Sequence, residues 1–257
     1  MDLNENKTVL AIVAHPDDAE FLCAGTLTLL HRQGWQVHIA TMTPGDCGSA
    51  KLNREEISNI RRNEAATSVA ILDGTYHCLE NDDVFILYDR PTLLKAIALV
   101  RKVKPELVFT HSPSDYMLDH EITSKIAQTA CFSCGMVNIR TEGMDAYNHI
   151  PYLYYLDPME GKDILGREIK PNTIIDISTV MNIKEKMLLC HQSQRDWLLK
   201  HHGMDEYLHS MKEFSEKRGR DINKKYGEGF RQHLGHAFPS DNILRDLLSD
   251  FGYILSE

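Results

Sequence analysis

The chain has 257 residues, 42% of them hydrophobic and 25% charged, with a net charge of −9 at pH 7. That length and apolar content suffice for one large α/β core. The acidic balance argues against a protein that neutralises many nucleic-acid phosphates or clings to an anionic membrane surface.

Met1 to Lys7 is polar, and the apolar run after it is too short for a secretory leader or a membrane span, so the cytoplasm is the expected address. Thr8 to Val13 reads as a buried strand, Phe21 to Gln33 as a helix closed by Gly34, and Gln36 to Met42 as a second strand. A polar loop, Thr43 to Ser49, precedes a long helix from Arg54 to Leu72 that ends at Asp73-Gly74. Thr75 to Leu79 is a short strand, Pro91 to Val103 a helix stopped before Pro105, Glu106 to Thr110 a buried strand, and Glu121 to Cys134 a helix. This alternation predicts βαβ units and a mostly parallel sheet. After Pro151 the pattern changes: Tyr152 to Leu156 and Thr173 to Ile177 read as strands, and Thr179 to His202 as a long helix. The tail to Glu257 reads as helical and polar. The six cysteines follow no framework spacing, and Cys131-Phe132-Ser133-Cys134 reads as a pair of ordinary reduced helix cysteines.

Two segments carry chemistry. Ala14-His15-Pro16-Asp17-Asp18-Ala19-Glu20 follows the first strand, and the run from His111 to Glu121, containing Asp115, Tyr116, Asp119 and His120, follows the strand that ends at Thr110. Ligands bind beyond the carboxyl ends of strands in open α/β sheets, so the two loops can converge. His15, Asp18 and His120 would then offer three N/O ligands with an open fourth position, the catalytic pattern for zinc. Asp119 could instead orient an imidazole. A plain strand-to-helix turn with an aspartate N-cap accounts equally for the first segment taken alone. His31, His38 and His149 stand isolated and read as ordinary surface or core residues. Acids at the first turn, in place of a glycine-rich loop, argue against dinucleotide binding.

The His15-Pro16-Asp17-Asp18 segment near the N-terminus, followed by Asp115-Tyr116 and Asp119-His120 after a mid-chain strand, resembles the PIG-L/LmbE family of metal-dependent N-acetylglucosaminyl deacetylases. The resemblance extends to Arg61 and Glu64, to the stretch from Lys184 through His191 to Gln194, and to Glu228-Gly229-Phe230-Arg231. It implies a Rossmann-like, mostly parallel sheet flanked by helices with a helical C-terminal cap. The whole of 1–257 would form one LmbE-like domain, with 1–150 as core and 151–257 as C-terminal strands and cap. It makes His15, Asp18 and His120 the ligands of zinc, iron(II) or another divalent metal. Asp17 becomes the general base in hydrolysis of an N-acetyl group from an amino sugar or glycoside by metal-activated water.

One position departs from the family pattern. Many relatives carry His where this chain has Met117, so Tyr116 and His191, with His111 behind them, become the candidates for its catalytic part. By the same resemblance, Asp46, Arg61 and Asp83 contact the sugar, although Asp46 and Arg61 could equally form an ion pair. Glu228 and Arg231 would hold the cap to the core. Tyr152 to Tyr155 and the tail could line a pocket, fill core or meet a second subunit. A non-catalytic metal- or sugar-binding relative is the alternative that Met117 keeps open. The implied partner is a small amino-sugar substrate, with neither nucleic acid nor membrane, and a homo-oligomer is compatible with the resemblance.

Overall fold

A computed structural model describes residues 7–195 and 206–254. It contains eight strands: β1 (Thr8–Val13), β2 (Gln36–Thr41), β3 (Thr75–Cys78), β4 (Leu107–Thr110), β5 (Tyr152–Leu156), β6 (Thr173–Asp176), β7 (Gly227–Gln232) and β8 (Gly252–Ile254). They form one sheet in the order β3-β2-β1-β4-β5-β7-β6-β8. The five strands from β3 to β5 are parallel, and the pairings β5–β7, β7–β6 and β6–β8 are antiparallel.

All six residues of β1 are buried, which is what a continuous apolar strand covered on both faces requires. Val9, Ala11 and Val13 enter a core closed by Leu27 and Leu30 of α2 (Ala24–Arg32), Val69 of α3 (Arg54–Ala70) and Met187 of α6 (Met181–Leu189). Met211 of α7 (Glu206–Asp221) joins that same core. Leu10 and Ile12 point the other way, against Ile97 and Val100 of α4 (Arg90–Val103) and Ile126 and Ala130 of α5 (Leu118–Ser133). Among the described residues, no helix is long and apolar enough to cross a membrane. The six cysteines are free, and Cys131 and Cys134 are buried.

Three expectations change. The first helix is two: α1 (Asp18–Leu22) ends at Cys23 (φ −143°, ψ 7°) and α2 restarts at Ala24. No side chain of α2's own N-cap satisfies its first N–H groups. Glu228 of β7 does so, accepting from Gly25 N (2.9 Å), Thr26 N (2.7 Å) and Thr26 Oγ1 (2.6 Å). The helix expected from Thr179 to His202 stops at Leu189, leaves His191 outside helix and restarts over 192–195, where Glu64 accepts from Ser193 N (2.8 Å) and Oγ (2.6 Å). The remainder of that expectation lies outside the described residues. The tail does hold α7 and α8 (Ile243–Leu247), but β7 and β8 also enter the sheet from it. Their propensity is poor, with Gly227 and Gly229 in β7, yet Gly229 is required, because a Cβ there would collide with the Asp157 carboxylate.

Candidate metal centre

β2 lies on one side of β1 and β4 on the other, so the strand order reverses at β1 and opens a crevice beyond its carboxyl end. The loop after β1 and the loop after β4 both run into that crevice. Donor atoms of His15, Asp18 and His120 come within 4.8 Å of one another there, and all three residues are buried.

The imidazoles are oriented from behind. His15 Nδ1 lies 3.3 Å from Asp18 Oδ2, while its Nε2 lies 3.3 Å from Asp119 Oδ2 and 3.4 Å from Asp83 Oδ1. His120 Nε2 lies 3.5 Å from Asp18 Oδ1, while its Nδ1 lies 3.2 Å from Asp115 Oδ1. Each ring thus has one nitrogen facing Asp18 and the other held by a carboxylate, the arrangement that fixes tautomer and aim in histidine metal ligands. Asp119 is itself held by the Val84 N–H at 2.7 Å. For that contact Val84, a β-branched residue, adopts a left-handed backbone (φ 70°), a strained conformation of the kind that gathers at functional sites.

Five aspartates (17, 18, 83, 115 and 119), all buried, crowd this space. Burial alone would lower the His15 pKa, but Asp119, Asp18 and Asp83 push it up to about 10. Burial raises the Asp18 carboxyl, yet His120, His111 and His15 hold it well below the usual carboxylate range. Such a surplus of buried negative charge, with imidazole and carboxylate donors aimed at one point, fits a borderline divalent cation.

The Asp17 carboxylate has partners of its own. Asp17 takes a left-handed backbone (φ 103°, ψ −24°) at the N-cap of α1 and makes no capping bond, so the N-cap reading fails for it. Tyr207 of α7 donates its hydroxyl to Asp17 Oδ2 at 2.6 Å, and Arg61 Nη2 lies 3.5 Å from the same oxygen. Burial raises the Asp17 pKa, and the adjacent Asp18 adds to this against the pull of Arg61, His191 and Tyr207.

Arg61 also donates to Pro16 O (2.9 Å) and Gly45 O (3.3 Å). Gly45 (φ 75°) and Gly48 leave room for its guanidinium, which a Cβ at either position would strike. The Asp46–Arg61 ion pair does not form. Asp46 instead accepts from Arg54 Nε and from Asp83 N (2.8 Å). Asp83 in turn accepts from Thr43 Oγ1 (2.5 Å) and Cys47 N (3.0 Å). The Asp46 and Asp83 carboxylates thus brace the loop after β2.

Of the residues considered for the place of the missing histidine, Tyr116 is 60% exposed, edge-on to His120 with ring centroids 5.4 Å apart. His191 is fully buried, with Nε2 3.2 Å from Glu20 Oε1, so its direct partner is Glu20 rather than Asp17. His111 stacks on His120 at 3.8 Å and brings Nε2 to 3.1 Å from Asp18 Oδ2. Sequence reasoning missed Tyr207, which is 190 positions from its partner and has no local signature. It also assigned no task to Asp115, although that residue lay inside the quoted segment.

The GlcNAc-PI de-N-acetylase (PIG-L) family matches residues 10–131, which include both loops of the site. The chain is 28% identical over 199 residues to the 4-oxalmesaconate hydratase of Pseudomonas putida, spanning 73% of this chain and 74% of that protein. It is 27% identical over 198 residues to the diacetylchitobiose deacetylase of Thermococcus kodakarensis, spanning 74% and 71%. The fold superposes on the N,N'-diacetylchitobiose deacetylase of Pyrococcus horikoshii with a TM-score of 0.75 at 27% identity, over 93% of this chain and 89% of that one. Through residues 10–131, with the two loops that build the site, this chain is similar to the PIG-L family.

Proposed function

We propose that the chain is a divalent-metal-dependent N-deacetylase acting on an N-acetylglucosamine-type amino sugar or glycoside, and that it works as one LmbE-like domain. The observation that carries the reading is the pair of imidazoles, His15 and His120, each turned toward Asp18 by a carboxylate behind it. In this reading His15, Asp18 and His120 hold the cation, zinc or iron(II). Such a cation supplies Lewis-acid chemistry, polarising a carbonyl and acidifying water.

Asp17 then acts as general base and acid. Its burial lifts the carboxyl toward the range where a proton is taken from water and returned to the leaving nitrogen. Tyr207 and Arg61 fix the rotamer of that carboxylate. Tyr116, exposed at the rim beside His120, is placed to donate to the oxyanion or to a sugar hydroxyl. Asp46, Arg61 and Asp83 shape the sugar pocket through the loop after β2. One continuous sheet draws strands from both 1–150 and 151–257, which supports the one-domain reading.

The test is acetate release from a panel of N-acetylated amino sugars and glycosides by protein of known metal content. Release that chelation abolishes and metal restores is expected; a metal-loaded protein that releases none from any member overturns the reading. A second reading, addition of water to an unsaturated acid, is favoured by the similarity to a hydratase. It predicts loss of the alkene absorbance of such an acid, with no acetate formed.

A further inference from the structure

The segment between β3 and α4 leaves apolar side chains in water. Val84-Phe85-Ile86-Leu87-Tyr88 is a run of five apolar residues outside helix and strand, and only Ile86 of the five is buried. Val84, Phe85, Leu87 and Tyr88, together with Tyr116 and Leu118 at the start of α5, are between 50% and 68% exposed. Consecutive exposed apolar residues are unfavourable in water, and such a patch marks a surface that a ligand or partner covers.

The run is fixed in place beside the candidate metal ligands. Val84 takes its left-handed backbone (φ 70°) while its N–H donates to Asp119 Oδ2 at 2.7 Å, and that same oxygen lies 3.3 Å from His15 Nε2. Asp83, one residue earlier, brings Oδ1 to 3.4 Å from the same nitrogen. At the other end the Tyr88 hydroxyl meets Thr129 Oγ1 of α5 at 2.9 Å, and Ile86 packs in the core that contains Ile126. The run therefore lies along α5, whose first turn carries His120, and the Tyr116 ring stands edge-on to that imidazole. Direct contacts join this apolar rim to the cluster, from Val84 through Asp119 to His15 and from Tyr116 to His120.

The chemistry of the reaction selects the occupant. Asp17 returns a proton to the leaving nitrogen, so the amino sugar lies toward Asp17 and its partners, Arg61 of α3 and Tyr207 of α7. A carbonyl carbon carries its other substituent on the side away from that nitrogen, and the rim comes from different elements, the loop after β3 and α5. An acetyl methyl offers little surface to six such side chains, whereas each further methylene laid against them leaves water at a gain. We propose that this rim binds an aliphatic N-acyl chain longer than acetyl, which makes the protein an N-deacylase that prefers medium-chain acyl amino sugars. The inference rests on the amide-hydrolase reading for the reacting group and on the rim for the chain length.

The metal-loaded protein is assayed for acid release from glucosamine methyl glycoside carrying N-acetyl, N-butanoyl or N-octanoyl, with N-acetylglucosamine octyl glycoside as the fourth substrate. kcat/KM should rise by about tenfold from acetyl to octanoyl, with butanoyl between them. Phe85→Ser and Leu118→Ser, both at exposed positions, should each lower the octanoyl-to-acetyl ratio by at least about threefold. The ratio is read because a loss of folded protein lowers both rates together and leaves it unchanged. No advantage for octanoyl, or an advantage that neither substitution lowers, overturns the inference, while acetate release leaves the deacetylase reading standing. An octyl glycoside turned over faster than the methyl glycoside, with a gain that both substitutions remove, gives the rim to the aglycone and overturns the inference as well. So does a dimer in sedimentation that Phe85→Ser dissociates, because a second copy then covers the rim. If no substrate releases any acid, the reading of the reaction falls and the inference falls with it.

Discussion

Asp17→Asn separates the work of the carboxylate from its place in the structure. Asparagine tolerates a left-handed backbone, so the φ of 103° at position 17 is retained at little added strain. Its side-chain oxygen can still accept from Tyr207 and Arg61, the two groups that hold Oδ2 at 2.6 Å and 3.5 Å. Arg61 keeps its bonds to Pro16 O and Gly45 O, so it is not left without acceptors. One buried negative charge beside Asp18 disappears, and the shift in stability should stay within about 1 kcal/mol. What is lost is proton transfer: a positioned general base contributes about 10²–10⁴ in rate, or roughly 3–5 kcal/mol of barrier. The assay is turnover on the best substrate of the acetyl panel, with bound metal and the urea midpoint measured on the same sample. The expected result is a hundredfold or greater fall in kcat with unchanged metal and midpoint, on the order of what a general base supplies. A variant that keeps more than about a tenth of the turnover refutes Asp17 as the base.

His120→Ala should lose both bound metal and turnover, because it removes a donor aimed at Asp18; metal retained at full stoichiometry would take His120 out of the ligand set. Glu228→Ala strips the acceptors from the start of α2 and leaves the Lys184 ammonium, 2.7 Å from the carboxylate and 1% exposed, without its partner. The unfolding free energy from urea titration should drop by about 3–5 kcal/mol, and a loss below about 1 kcal/mol would contradict the buried pair's assigned weight. Met117 is half-buried at the N-cap of α5, so Met117→His should leave metal content unchanged without lowering turnover. A fall beyond about tenfold would mean that the thioether shapes the pocket. Burial, with help from His38 and Lys102, pushes His77 down to about 4. Between about 6.5 and that value the unfolded chain takes up a proton that the folded chain refuses, so acid erodes stability over this range. His77→Gln should flatten the urea midpoint against pH there, and an unchanged slope would remove His77 as a source.

The strands and helices up to α5 were legible because β1 and β4 are short buried runs, apolar except for a terminal threonine, and α3 and α4 carry strong boundary signals. Asn53 and Glu56 form a reciprocal capping box, and Asp89 caps a helix with proline in its first turn. Placement of His15, Asp18 and His120 at one point was legible too, since consecutive parallel strands deliver their loops to the same sheet edge. The breaks at Cys23 and His191 were not, because each is offset by partners far along the chain, Glu228 for the first and Glu64 for the restart after the second.

The amino-acid sequence by itself determined the alternating core and the two donor-bearing loops. These follow from local periodicity and residue chemistry. Only the tertiary structure decided that Asp46 pairs with Arg54, that Tyr207 reaches Asp17, and that a glycine-bearing segment becomes the sheet strand that presents Glu228 and Arg231. Those contacts join residues as much as 203 positions apart, and their partners are chosen by burial, which makes an unsatisfied polar group unfavourable wherever in the chain its partner is found.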